Sequence, residues 1–366
     1  AIATDIDDTA VDVFVYDTAK DSDGGAWRKR TQHTSWYNEA ASATRSSRKE
    51  FPSVAVIVAE AATVTIYDGD DPDMPMWMVF QSSGSSYASK FLPRSAVALK
   101  AVSMVNGLLA VGGNAGSDYH DAFVEISFLK DSAFFRSTSL IGSFNGGVSA
   151  RNNTSLTNTT GSYIVSTTVN DVAMTVLPNA PIDAATGLPV PTIAVGTAGG
   201  TSIIRDDGTV VDYTLGSYPT KNVEFDFDNN VLQSSRNIGS SGGALYVNKY
   251  PIISADSNSG TIQQELVLSS TAGDNTGGLD FVKTSFIEGT KNLVALKDST
   301  LAFSSDAGAV QGIGVYQLGP EGTTKTTTLG AVITSSYNTG WMNGDIKLAT
   351  LSDTSTTNVT GAELIT

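Results

Sequence analysis

A strand–turn–strand unit recurs along this chain with no helical signal between its copies. Val54-Ala-Val-Ile-Val-Ala is followed by Ala62-Thr-Val-Thr-Ile-Tyr and an Asp68-Gly-Asp turn. Leu108-Leu-Ala-Val-Gly-Gly leads into Phe123-Val-Glu-Ile-Ser-Phe. Thr192-Ile-Ala-Val-Gly-Thr passes through Gly199 and Gly200 into Ser202-Ile-Ile-Arg, and Leu301-Ala-Phe-Ser-Ser passes through Gly308 into Ile313-Gly-Val-Tyr. Ala55, Ala110, Ala194 and Ala302 occupy the same place in each copy, at spacings of 55, 84 and 108 residues. Read as one, two and two units of about 40–55 residues, these spacings match the period of β-propeller blades. The expectation is an all-β propeller of about six or seven blades. Such a scaffold carries its function in loops, so the fold by itself does not name a chemistry.

Composition agrees with many short strands. Charged residues make up only 16% of the 366, while glycine, serine and threonine abound. That mixture favours strands broken by frequent turns over helices. The apolar 40% is enough to build a core, which argues against disorder. A net charge of −15 repels phosphates and anionic lipid, so neither nucleic acid nor membrane insertion is expected. Cysteine is absent, which removes disulfides and thiolate metal sites. Histidine is restricted to His33 and His120, and no cofactor is implied.

Along the chain, residues 1–52 are expected to hold an N-terminal hairpin and a short helix packed on the propeller. Val11-Asp-Val-Phe-Val-Tyr reads as the outgoing strand, Asp21-Ser-Asp-Gly-Gly25 as its turn and Ala26-Trp-Arg-Lys-Arg as the return. Residues 35–50 form the one helical segment, capped by Ser35 and ended by Pro52. The propeller spans 53–350, and 351–366 is an exit strand or linker. Leu177-Pro-Asn-Ala-Pro-Ile-Asp-Ala-Ala-Thr-Gly-Leu-Pro-Val-Pro carries four prolines and is expected to be an ordered loop between two strands of one blade. No linker or charge run marks a second domain. The ring is expected to close through the segments 11–16 and 346–351, because an open ring leaves unpaired strand edges.

Little in the chain points to catalysis. Asp68, Asp70, Asp71 and Asp73 cluster on one turn and can supply oxygen ligands to Ca²⁺. The bidentate glutamate of a calcium loop is lacking and Pro72 stiffens the segment, so a solvated turn is the simpler reading. Asp21 and Asp23 are explained by hairpin chemistry. With 37 acidic residues some carboxylate pair is always at hand, and none is singled out. The glycine-rich stretches at 112–116 and 196–200 join strand to strand, so they lack the helix start that receives a phosphate. The Asn-X-Ser/Thr sequons at Asn152, Asn153, Asn158 and Asn358 arise by chance in so Ser/Thr-rich a chain.

Four stretches resemble a family of structural proteins from marine tailed phages. They are Val11-Asp-Val-Phe-Val-Tyr-Asp with the run from Asp21 to Asn38, Val64-Thr-Ile-Tyr-Asp-Gly-Asp-Asp-Pro with Met76-Trp-Met-Val-Phe, the run from Val169 through Thr209, and Ser335-Ser-Tyr-Asn-Thr-Gly-Trp-Met-Asn-Gly-Asp-Ile-Lys. The resemblance is weakest between about residues 215 and 290. It implies a propeller inside a virion protein, a tail fibre or related appendage serving as a rigid scaffold for host attachment and carrying no catalytic activity. Its implied partners are other virion subunits, including copies of itself, and a host surface glycan. Two other readings stay open on the residues: a depolymerase acting on glycans through paired carboxylates, and a secreted or surface-filament subunit of a cell.

The segment 28–49 breaks the repeat and reverses the local charge, with Arg28, Lys29, Arg30, Arg45, Arg48 and Lys49 close together. It is therefore expected to pack on another chain. Trp36 and Tyr37 would supply the buried area of that subunit contact, and Arg45 and Arg48 would meet carboxylates across it.

Overall fold

The computed structural model describes residues 9–83, 89–94, 98–114, 123–214, 218–239, 242–257, 264–269, 290–296, 300–305, 312–318 and 327–334. Among them the chain is all-β, with strands arranged in five sheets. The first sheet runs β1 (Ala10–Asp17), β2 (Val54–Glu60), β3 (Thr63–Asp68), β4 (Met76–Ser83) and β5 (Leu92–Arg94). The second runs β6 (Leu99–Val105), β7 (Leu108–Gly113), β8 (Phe123–Ser127), β9 (Ser132–Arg136), β10 (Ile141–Phe144) and β11 (Leu156–Thr159). The third holds β12 (Val169–Thr175), β13 (Thr192–Thr197), β14 (Gly200–Ile204) and β15 (Val210–Tyr213). The fourth holds β16 (Thr220–Phe225), β17 (Val231–Gly239), β18 (Gly242–Tyr250) and β19 (Gln264–Ser269). The fifth holds β20 (Thr290–Leu296), β21 (Thr300–Ser305), β22 (Gly312–Leu318) and β23 (Thr327–Thr334).

Each sheet is a meander in which every strand pairs with the next in sequence. All pairings are antiparallel except β4 with β5. The four marker alanines occupy one structural place: Ala55 lies on β2, Ala110 on β7, Ala194 on β13 and Ala302 on β21, the second strand of its sheet in every case. The first three are fully buried, where only a small side chain fits between packed layers. The spacing of 84 residues from Ala110 to Ala194 covers one sheet step and not the two expected, because the second sheet has six strands and a proline-rich loop intervenes.

Contacts divide the chain into two compact units. Residues 1–217 with 254–256 form one, and the remainder forms the other. In the first unit β6 packs against β1 and β2 on one side and against β12 on the other. In the second unit β16 packs against β20. First strands of successive sheets thus neighbour one another within each unit.

The N-terminal region departs from expectation in two ways. The partner of β1 is β2, with Phe14 opposite Ile57 and Tyr16 opposite Ala55. Residues Ala26–Arg30, expected as the return strand, form a 3-10 helix that buries Trp27 completely. The cause is Asp21. Its carboxylate accepts from the Tyr16 hydroxyl, from Trp27 Nε1 at 2.7 Å and from the Asn106 amide at 2.8 Å. Pulled inward, it folds the chain back before a second strand can form. Burial raises the Asp21 pKa against the pull of these donors, which lower it.

The second departure is the expected helix at 35–50, which is a run of turns. Arg45 is the reason. Its guanidinium, 1% exposed, donates to the carbonyls of Trp36, Ser46, Arg48, Lys49 and Trp77. Carbonyls turned toward one cation are unavailable to an i→i+4 ladder. The segment instead lies along β4, with Val79 donating to Thr44 O and Ser46 to Trp77 O. This wrap closes an aromatic core in which Phe51 lies 4.8 Å from Trp77 and 4.9 Å from Phe128, with Trp36 5.6 Å from Phe128. Such edge-to-face contacts add to the area they bury. A second core joins Ala101, Ala110 and Phe123 to Val169, Val172, Ile193, Val195 and Ile204 of the third sheet.

Candidate binding cleft

The sequence-predicted contact residues lie together, inside their own chain. Trp36 is fully buried and donates through Nε1 to Phe128 O at 2.9 Å. Arg45 stacks over the Trp77 ring at 4.4 Å, and burial lowers its pKa to about 10. Arg151, equally buried, donates to Glu39 Oε2 at 2.7 Å, so one carboxylate serves both guanidinium groups. Arg48 is partly exposed and reaches Asp68 at 2.5 Å and Asp70 at 2.6 Å. Burial works to raise the Asp70 carboxyl, but the amides of Ser53 and Val54 together with Arg48 outweigh it and hold its pKa at about 2. Of the four, Tyr37 and Arg48 retain surface, whereas Trp36 and Arg45 are spent within the chain.

The acidic turn at 68–73 is therefore an anchor for Arg48 in this fold. Among the described residues no group of three acidic or histidine side chains is placed to hold a metal ion. Trp341, His120 and the segment 346–351 lie outside the described residues.

A cleft of about 360 Å³ opens elsewhere, on the outer part of the second sheet. Sheet register builds its floor. Ala110 pairs with Glu125, Glu125 with Phe134, and Phe134 with Ser143, so these residues form one row across β7, β8, β9 and β10 on a single face. The neighbouring row brings Ser127 opposite Ser132. Nearer the middle of the chain's fold this face is covered by the third sheet, and farther out it is left as floor.

The roof is the proline-rich segment 177–191. As expected, it connects two paired strands of one sheet, β12 and β13. It is a hairpin in its own right. Asp183 N donates to Leu188 O at 2.9 Å, Val190 N to Pro181 O at 2.9 Å and Gly187 N to Asp183 O at 2.7 Å. Asp183 Oδ1 caps the tip by accepting from the Ala185 and Thr186 amides.

Three clamps hold the roof over the floor. Asn106 Nδ2 donates to Pro189 O at 3.0 Å and to Ser22 Oγ at 3.0 Å, while its Oδ1 accepts from Ser22 N. Lys130 Nζ lies 2.5 Å from Asp183 Oδ2. Arg30 donates to Thr186 O at 3.0 Å. Asn106 can face the roof because it sits with Gly107 in the two-residue turn between β6 and β7, both at positive φ, 51° and 71°. That is the turn for which Asn-Gly is suited. A side chain at Gly107 would strike Leu129 Cδ1 at 2.3 Å.

The electrostatics of the cleft are balanced. Arg136 Nε donates to Glu125 Oε1 at 2.9 Å and its guanidinium lies 4.9 Å from the Phe134 ring. Hydrogen bonding from Lys130 holds the Asp183 carboxyl below the usual carboxylate range, with the Ala185 and Thr186 amides adding to it. Two carboxylates thus border one cavity, each paired with its own cation. They can accept hydrogen bonds, but Asp183 is a poor proton donor near neutral pH. His33 lines a separate hollow with Arg30, Leu129 and residues 185–187, of which Thr186 also borders the cleft.

The proline-rich roof stood out in the sequence, but none of the floor residues did. Glu125 and Arg136 are single charges inside apolar strand runs, which is the faint signal available. The Asn106-Gly107 pair between two apolar runs is the stronger one, since it marks the hairpin that carries the roof clamp. No protein-family model matches this chain, and the comparison with curated proteins found no match.

Proposed function

We propose that the chain is a virion structural subunit, part of a tail fibre or related appendage, and that it works as a rigid scaffold for host attachment. The observation that carries the reading is the series of meander sheets among the described residues, with first strands set side by side within each unit and connecting loops braced by side chains. A series of this kind fits a β-propeller of about six or seven blades, to which the five sheets would contribute. The phage-like stretches of sequence support the location. Its partners in this reading are other virion subunits, with copies of itself among them, and a surface glycan of the host.

A scaffold under mechanical load benefits from loops that do not rearrange, and the clamped roof is such a loop. The depolymerase alternative draws on Glu125 and Asp183 facing one cavity. Against it stands the pairing of each with a cation, and the Lys130 hydrogen bond that holds the Asp183 carboxyl low, away from the role of an acid. The test is fractionation of an infected lysate followed by mass spectrometry. The chain is expected in purified particles at a fixed ratio to the other tail proteins. Its recovery only in the non-particle fraction would overturn the proposal, and release of reducing sugar from host polysaccharide by the purified chain would replace it with the enzymatic reading.

A further inference from the structure

We propose that the cleft between the Glu125–Phe134 row and the proline hairpin binds one neutral hexose ring of a polysaccharide. The ligand class follows from what the walls offer. Phe134 is half-buried at the cavity and supplies apolar ring surface for the C–H face of a sugar. Around it stand groups that accept and groups that donate: the Glu125 carboxylate, the hydroxyls of Ser127, Ser132 and Ser143, and the Lys130 ammonium. A vicinal diol can use both kinds at once, since each hydroxyl donates and accepts.

Charge narrows the choice further. Glu125 is matched by Arg136 and Asp183 by Lys130, so the cavity has no charge left to neutralise an ionic ligand. A uronic or sialic acid would set a third carboxylate beside two, inside a chain that carries −15 overall. A cationic sugar would displace a salt bridge. The neutral ring disturbs neither pair. The volume of about 360 Å³ is at the small end for ligand sites, which suits one ring and not an extended chain.

Preorganisation makes binding by so few groups workable. The floor is locked by strand pairing and by the Glu125–Arg136 bond, and the roof by Asn106, Lys130 and Arg30. Little ordering is left for the ligand to impose, and that cost is what usually weakens small polar ligands. As a receptor site the cleft rests on the attachment reading given above. As a sugar site it stands on its own geometry.

The experiment is saturation-transfer NMR on the full chain with D-glucose, D-galactose, D-mannose and D-glucuronic acid as separate probes. At least one neutral hexose is expected to receive saturation through its ring C–H protons, and glucuronic acid to receive none. Phe134→Ala is expected to abolish the signal, and Glu125→Gln to weaken binding by roughly tenfold or more, as removal of a bond to a charged group does. Ser143→Trp changes an exposed position on β10 and fills the cavity without touching the core, so it keeps the test valid where Phe134→Ala fails to fold. Phe134→Tyr preserves the ring and retains binding. Silence from all three hexoses, signal from glucuronic acid alone, or signal undiminished by Ser143→Trp would each overturn the sugar site. Failure of the attachment reading shows separately: sugar binding with no chain in purified particles removes the virion role and leaves the cleft.

Discussion

Two irregular segments of this molecule use the same device to opposite ends. The wrap at 32–51 and the roof at 177–191 both lack regular structure, and both are held by side chains that reach backbone groups. In the wrap the chemistry points inward: Trp36 and Arg45 are buried at 0% and 1% exposure. In the roof it points outward, with Asp183 and its partner Lys130 at the border of an open cleft. The difference teaches that an unusual composition marks where a backbone needs unusual support. The wrap is rich in arginine and aromatics because its unladdered carbonyls require donors and its sheet requires a lid. The cleft needs no such density, because strand pairing positions its residues already.

If this contrast is right, the largest effect comes from the centre of the wrap. Arg45→Ala removes one donor from each of the carbonyls of Trp36, Arg48, Lys49 and Trp77, and one of two partners from Glu39. Urea denaturation is expected to register a loss of about 3–5 kcal/mol, the range for breaking a buried ionic group. A loss under about 1 kcal/mol, within the range of exposed pairs, would show the wrap to be surface decoration.

Next comes the clamp on the roof. Asn106→Ala removes the bonds to Ser22 and Pro189 and places a Cβ-bearing residue without a polar tip at φ 51°. The expected cost is about 1–3 kcal/mol. Hydrogen exchange should rise at the roof amides of Val190 and Gly187 while that of β2 and β3 stays slow. Uniform acceleration would mean that roof and core open together.

Smaller still is the effect of acid on the Arg48 anchor. The folded Asp70 carboxyl, at about 2, lies below its ordinary 3.8. Its contribution is therefore fully present above pH 3.8 and is lost as pH falls through about 2. Stability of the wild type minus that of Asp70→Asn should shrink across this window and be flat above pH 5. A difference that grows on acidification would reverse the assignment. The smallest effect belongs to the roof tip. Asp183→Asn weakens a half-exposed pair, so the stability loss is expected at about 0.2–1 kcal/mol by thermal melting, while sugar affinity falls more than stability does. Equal insensitivity of both would sever the roof from the cleft.

What could be read from the residues divides along the same line. Ala55, Ala110, Ala194 and Ala302 mark the second strand in four of the five sheets, and the buried first three show why: a small residue between packed layers leaves a local signature. The four prolines predict an ordered loop because proline excludes an inner ladder wherever it stands. The hairpin at 11–30 and the helix at 35–50 failed for a shared reason. Local turn chemistry and periodicity pointed one way, and a single buried polar group pointed the other: Asp21 in the first case and Arg45 in the second. Their partners, Asn106 and Trp77, lie 85 and 32 residues away. Glu125 and Phe134 were silent because a row across four strands appears only once register is known.

The roof hairpin has one more consequence. Its stems are held through backbone atoms, Pro189 O by Asn106 and Thr186 O by Arg30, and its closing bonds join main chain to main chain. Such grips are blind to the side chains they hold. Ala184 and Ala185 at the tip are exposed with ordinary backbone, whereas Gly187 sits at φ 69°, where a side chain would be strained. The tip is thus a replaceable part on a permanent mount, like a bit in a drill chuck. Ala184 and Ala185 can change over a few codons while the sheets beneath go on unaltered.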